Sequence, residues 1–153
     1  MATGRRRAAA SERLRSAAGF TLIELLVVIL IIGILAGIAL PAFLSQKEKA
    51  TDASAKEQSR TAQTAAEAFS TDHDGSYTGM SVGELEAIEP TLKDKSTAEL
   101  ITAEALAEGH GYIVESKTVG NGSTYSIEHT ASGEVVRACA PEKHGGCPEG
   151  GRW

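Results

Sequence analysis

The chain has only four histidines, and none stands in a recognisable motif with a serine or cysteine nucleophile. It contains no G-x-S-x-G, no H-E-x-x-H and no phosphate-binding loop. His73, His110, His129 and His144 fall in separate turns or on strand faces expected to meet solvent. The reading is therefore non-enzymatic, with no cofactor. Cations are scarce beyond the first residues. Five of the 15 basic but only one of the 20 acidic residues lie in 1–19, so residues 20–153 keep 10 basic against 19 acidic. A surface with that excess of carboxylates repels phosphate, which makes nucleic acid an improbable general partner. Internal repeats and low-complexity linkers are also missing. Polar side chains are absent over one whole stretch, from Leu25 to Leu40.

That stretch belongs to an apolar run, Phe20–Leu40, of 21 residues. As a helix it is roughly 31 Å long, enough to cross a bilayer. It is too long for an ordinary secretory core, no small-x-small cleavage site follows it cleanly, and the arginines lack twin-arginine spacing. Arg5, Arg6, Arg7, Arg13 and Arg15 precede it and read as a cytoplasmic flank. Glu24 is the anomaly. An ionised acid at the centre of a spanning helix costs about 2.5–3.5 kcal/mol, less near an end where it snorkels. A cationic partner would justify it, and the apolar run contains none. A new amino terminus at Phe20 would supply one, since Phe20 and Glu24 are i and i+4 on one helix face.

The stretch "GFTLIELLVVILIIGILAGIALP" resembles the class III signal of type IV prepilins and type II secretion pseudopilins. The resemblance implies cleavage between Gly19 and Phe20 by prepilin peptidase, N-methylation of Phe20, and an assembly role for Glu24. It maps a family glycine and proline onto Gly33 and Pro41, between which the helix loses regularity during assembly. Gly33 and Gly37 form a G-x-x-x-G that permits close helix approach, and Pro41 is expected to kink the helix. The implied partners are the peptidase, further copies of the chain in a helical filament, the inner-membrane platform with its assembly ATPase, and membrane lipid. The implied location is a single-pass inner-membrane precursor, then an extracellular pilus or a periplasmic or cell-wall pseudopilus. Two other readings stand beside a pilus subunit. One is a pseudopilin of a secretion or DNA-uptake filament. The other is a signal-anchored extracytoplasmic enzyme or binding module.

"LSQKEKATDASAKEQSRTAQTAAEAFS" has no Gly or Pro and is rich in helix formers. It predicts a single helix from Phe20 to Phe69 or Ser70. Ala55, Ala62 and Phe69, joined by Ala65 and Ala66, mark the face turned to the rest of the chain. Lys47, Glu48, Lys49, Asp52, Lys56 and Glu57 are expected to face water or neighbouring copies. Gly75 suits the helix stop. Asp72, Asp74 and Ser76 around it suggest calcium but depart from the EF-hand pattern, and turn chemistry is the simpler reading. Capping boxes at Ser81/Glu84 and Ser96/Glu99 predict short helices near 82–89 and 97–108. "GYIVESKT", "STYSIEHT" and "GEVVRACA" predict a three-stranded antiparallel meander. Tyr112, Val114, Tyr125, Ile127, Val135 and either Arg137 or Val136 compete for its inner side. The expected fold is α+β, a long helix packed on a small sheet as in pilins. Its parts are a basic leader at 1–19, a membrane and assembly half-helix at 20–41, an amphipathic half at 42–70 and a head at 71–153.

The two cysteines, Cys139 and Cys147, lie in "CAPEKHGGCPEGGRW". In an oxidising compartment a disulfide is the default; a zinc set with His144 and His129 is the rival. Resemblance to pilins adds that a disulfide-bounded C-terminal region recurs in that family.

Overall fold

The computed structural model describes residues 19–153. The leader assigned to 1–19 therefore lies, but for Gly19, outside the described residues. Two units are distinguished, one ending at Ala39 and one comprising Leu40–Trp153. Helix α1, Leu22–Asp72, contributes to both and keeps its helical assignment through Pro41. In the first unit the helix is apolar on every face apart from Glu24 and exposed at nearly every position, and Phe20 just ahead of it is 88% exposed.

In the second unit α1 turns a narrow seam inward. Asp52, Ala55, Ser59, Ala62, Ala66 and Phe69 are buried, spaced three and four residues apart as a helix face requires. Most of these side chains are small, so the sheet approaches closely and its own large residues fill the gap. Tyr112, Val114 and Ile127 pack with Leu85, Leu92 and Leu100 against Ala62, Ala66 and Phe69. A second cluster joins Ala55, Ala98, Tyr125, Cys139 and Cys147. The helix ends where Asp74 and Gly75 adopt positive φ, 53° and 81°. Gly75 N–H then donates to Ser70 O at 2.8 Å, satisfying one of the last helical carbonyls.

Helix α2, Val82–Ile88, is capped by Ser81, whose side chain accepts from Glu84 N–H. A 3-10 turn, Pro90–Lys93, follows. Four strands then form an antiparallel sheet in chain order: β1 Ala98–Leu106, β2 Gly111–Thr118, β3 Thr124–His129 and β4 Val135–Ala140.

The strand count corrects the expected three. Residues 97–108, predicted as a helix, instead supply β1 and a short turn, Ala107–Gly109. "AELITAEAL" has helix-forming composition, but β2 needs a partner along its other edge, and pairing decides. Ala98, Leu100 and Ala103 are buried, with a register shift between Leu100 and Thr102 that lets residues on both sides of it point inward. The capping box at Ser96 is pre-empted. Ser96 N–H donates to Asp94 Oδ1 at 2.9 Å, and Glu99 is held by Lys95 at 2.7 Å.

Register also resolves the ambiguity in β4. Tyr125 pairs with Cys139, Ile127 with Arg137 and His129 with Val135. Arg137 and Val135 therefore share the inner side, but at the sheet edge both stay exposed and only Cys139 is buried.

Candidate functional site

The described part of the prepilin-like segment begins with a reciprocal cap. Glu24 Oε2 accepts from both Thr21 N–H and Thr21 Oγ1–H at 3.0 Å. Thr21 Oγ1 in turn accepts from Glu24 N–H at 3.2 Å. Two of the free amides at the helix start are satisfied this way. Glu24 thus has a role inside its own helix that the charge argument did not identify. The signal, T-x-x-E, is legible in the sequence. Oε1 takes no part in these bonds.

Gly33 and Gly37 have nothing within 4 Å of where a Cβ would stand, so contacts within this chain do not require glycine there. Pro41 lies inside α1. Lacking an N–H, it leaves the carbonyl four residues back, that of Gly37, without its helical donor.

A second constellation joins α1 to the C-terminal loop. Asp52, expected at the surface, is fully buried. Its Oδ2 accepts from Gly146 N–H at 2.5 Å, and its Oδ1 accepts from Asn121 Nδ2–H at 3.0 Å. One turn along the helix, Lys56 Nζ donates to Gly146 O at 2.8 Å. Two helix residues four apart therefore clasp both backbone groups of a single glycine. Beside it, Gly145 has φ +55°, and a Cβ there would fall on the Asp52 carboxylate. The donors make the burial tolerable. An ionised acid taken out of water needs donors around it, and the loop and Asn121 provide them.

The same loop is closed by Cys139–Cys147, with Cα atoms 5.7 Å apart. The pairing takes both thiols out of the rival zinc set. Of the other members of that set, His144 Nδ1 lies 3.5 Å from Ser123 Oγ. His129 stacks on Tyr112, with ring centroids 5.3 Å apart. Trp153 closes the region. Its Nε1–H donates to Ala138 O at 2.8 Å, and its ring meets Tyr125 edge-on at 5.9 Å.

Burial raises the Tyr125 phenol well above its usual pKa, and the Asp52 charge raises it further. Burial likewise raises Tyr112 and Tyr77, helped by Glu67. Glu67 accepts from Tyr112 Oη–H at 2.8 Å and from Tyr77 Oη–H at 2.9 Å, tying the end of α1 to the head. The arrangement ties α1 and the C-terminal loop to the sheet. Among the described residues no group of three or more His, Cys, Asp or Glu side chains is placed to hold a metal.

Residues 14–40 match the model of the prokaryotic N-terminal methylation motif, the class III signal of type IV prepilins and pseudopilins. No curated protein and no solved structure shows significant similarity to the chain. The motif and the long apolar helix fit a type IV pilin-like subunit with a membrane-anchored precursor. They imply processing by prepilin peptidase and filament assembly in general terms. The α+β architecture of the described residues is pilin-like as well.

Proposed function

We propose that the chain is a structural subunit of a type IV pilus-like filament. In this reading residues 1–19 are a leader removed between Gly19 and Phe20, and the new amino terminus is methylated. Residues 20–41 hold the subunit in the inner membrane and then form the filament's apolar centre, with Gly33 and Gly37 at helix contacts. Residues 42–70 continue the spine, and 71–153 form the head. The assembly platform and its ATPase drive subunits out of the bilayer.

The observation that carries the reading is a methylation motif opening a helix whose apolar part is exposed all round and which runs on into a packed head. Removing a large apolar side chain from water is worth about 1.5–3 kcal/mol, so this segment needs lipid or other copies of itself. Glu24 supports the same reading. Its Oε2 is engaged by Thr21 while Oε1 remains able to accept from the Phe20 amine of an incoming copy. That pairing fixes register more than it adds stability. Intact-mass measurement of the membrane and sheared-filament fractions tests the proposal. The expected dominant species starts at Phe20 with one added methyl group; one starting at Met1, or cut well inside the apolar run, overturns it.

A further inference from the structure

The two edges of the sheet differ in charge. At the β4 edge, Lys56, Arg60 and Arg137 gather round Trp153, their charged groups 5.7, 5.3 and 5.8 Å from its ring centroid. Lys56 is engaged with Gly146 O. Arg60 has only the exposed Glu57 at 3.7 Å, and Arg137 makes no ion pair among the described residues. The ring attracts each cation but carries no net charge to balance three. Val135, also at this edge, is 41% exposed.

At the opposite edge α2 packs on β1. Residues 81–106 hold Glu84, Glu86, Glu89, Asp94, Glu99 and Glu104 against Lys93 and Lys95, a net of −4. Lys95 is paired with Glu99, while Glu89 and Asp94 accept from nearby backbone amides. Glu84 and Glu86 make no ion pair among the described residues. Glu84, Ala87 and Ile88 form an exposed strip on α2, with Ile88 39% exposed.

We propose that the Lys56–Arg60–Arg137 cluster receives the α2 strip of a second copy of this chain. Glu84 meets the cations, and Ile88, one turn on along the same strip, lies towards Val135 and Trp153. The inference rests on the filament reading. Because the patches differ, the contact is heterologous and repeats head to tail, which is the contact type an open filament requires. Residues 20–153 carry nine more acidic than basic residues, so unspecific approach between heads is repulsive and one complementary pair of patches selects the register. Nucleic acid fits less well. The acidic surroundings repel a polyanion, and the Trp153 ring is already occupied by cations and tied at its N–H, leaving little room for base stacking.

The test uses the full chain in its own cells in place of the native copy, reading sheared filaments against processed membrane protein. Arg60→Glu with Arg137→Glu should lower filament yield about tenfold or more, as juxtaposed like charges cost several kcal/mol. Processing and Trp153 fluorescence in detergent should stay native. Adding Glu84→Arg to that chain should raise the yield again by about threefold or more, since each copy then presents a cation where the reversed patch offers acids. If the reversed pair perturbs Trp153, the neutral pair Arg60→Gln with Arg137→Gln replaces it, with an expected loss of about threefold. Unchanged yield, or reduced yield without rescue, overturns the proposal. So does loss of DNA retention at constant filament yield, which assigns the patch to nucleic acid. Filaments of the unaltered chain that ignore charge reversal sink this inference alone; processed protein that never forms filaments sinks the filament reading too.

Discussion

Asp52→Ala should destabilise the head far more than its place in a polar helical sequence suggests. The substitution leaves Gly146 N–H and Asn121 Nδ2–H without their acceptor in a buried site. Hydrogen bonds to a charged group are worth about 1.5–3 kcal/mol each, so their loss costs about 3–6 kcal/mol. Relief from burying a carboxylate returns part of that, leaving a net loss of about 3 kcal/mol. The assay is urea unfolding of the full chain in detergent, followed by fluorescence of Trp153, the single tryptophan, which is bonded to Ala138 in this region. With a denaturant slope of about 1–3 kcal/mol per molar, the midpoint should fall by about 1–3 M. Asp52→Asn should lie between the two. Its amide offers one acceptor oxygen but turns an NH2 towards the second donor. A midpoint change equivalent to less than about 0.5 kcal/mol is what an ordinary surface position gives, and would refute the account of the buried clasp.

Further outcomes follow from the same geometry. Gly145→Ala forces a positive φ and puts a methyl group on Asp52; it should cost about 2 kcal/mol or more in the native background, and measurably less when Asp52 is already alanine. All three tyrosines are held protonated above their ordinary value. Their contribution to stability is therefore full below the unfolded-state pKa of about 10 and is lost as pH rises towards the folded values. An alkaline titration of the native protein should show tyrosinate absorbance delayed beyond that unfolded value, most strongly for Tyr112 and Tyr125; a normal titration of all three phenols in the folded state would contradict it. Glu24→Gln should leave membrane insertion and cleavage intact yet suppress sheared filaments, so normal filament yield from processed protein would mean that the acid only caps its helix.

Most of the fold is legible because its signals are local. Ala55, Ala62 and Phe69 repeat at helical spacing, and three strands alternate between clear turn residues. β1 is hidden because its alanines, glutamates and leucines favour a helix, and only the free edge of β2 makes them a strand. Asp52 is hidden for a related reason. Nothing near it in sequence distinguishes it from the solvated residues around it, and its partners lie 69 and 94 positions away. The T-x-x-E cap of Thr21 and Glu24 is readable from its local spacing alone.

The position of Asp52 along α1 also sets how the subunit meets a pulling force. It is the first buried residue of the helix, so between Pro41 and Thr51 the spine can unwind without breaking the buried core. Each residue that passes from helix to extended chain releases about 2 Å of length. Ten or so such residues supply about 20 Å of slack before the load reaches the Asp52–Gly146 clasp. Beyond that point further extension draws on the clasp, the closed disulfide ring and the packed seam together. In the proposed filament this stretch would give length under tension before any head unfolds.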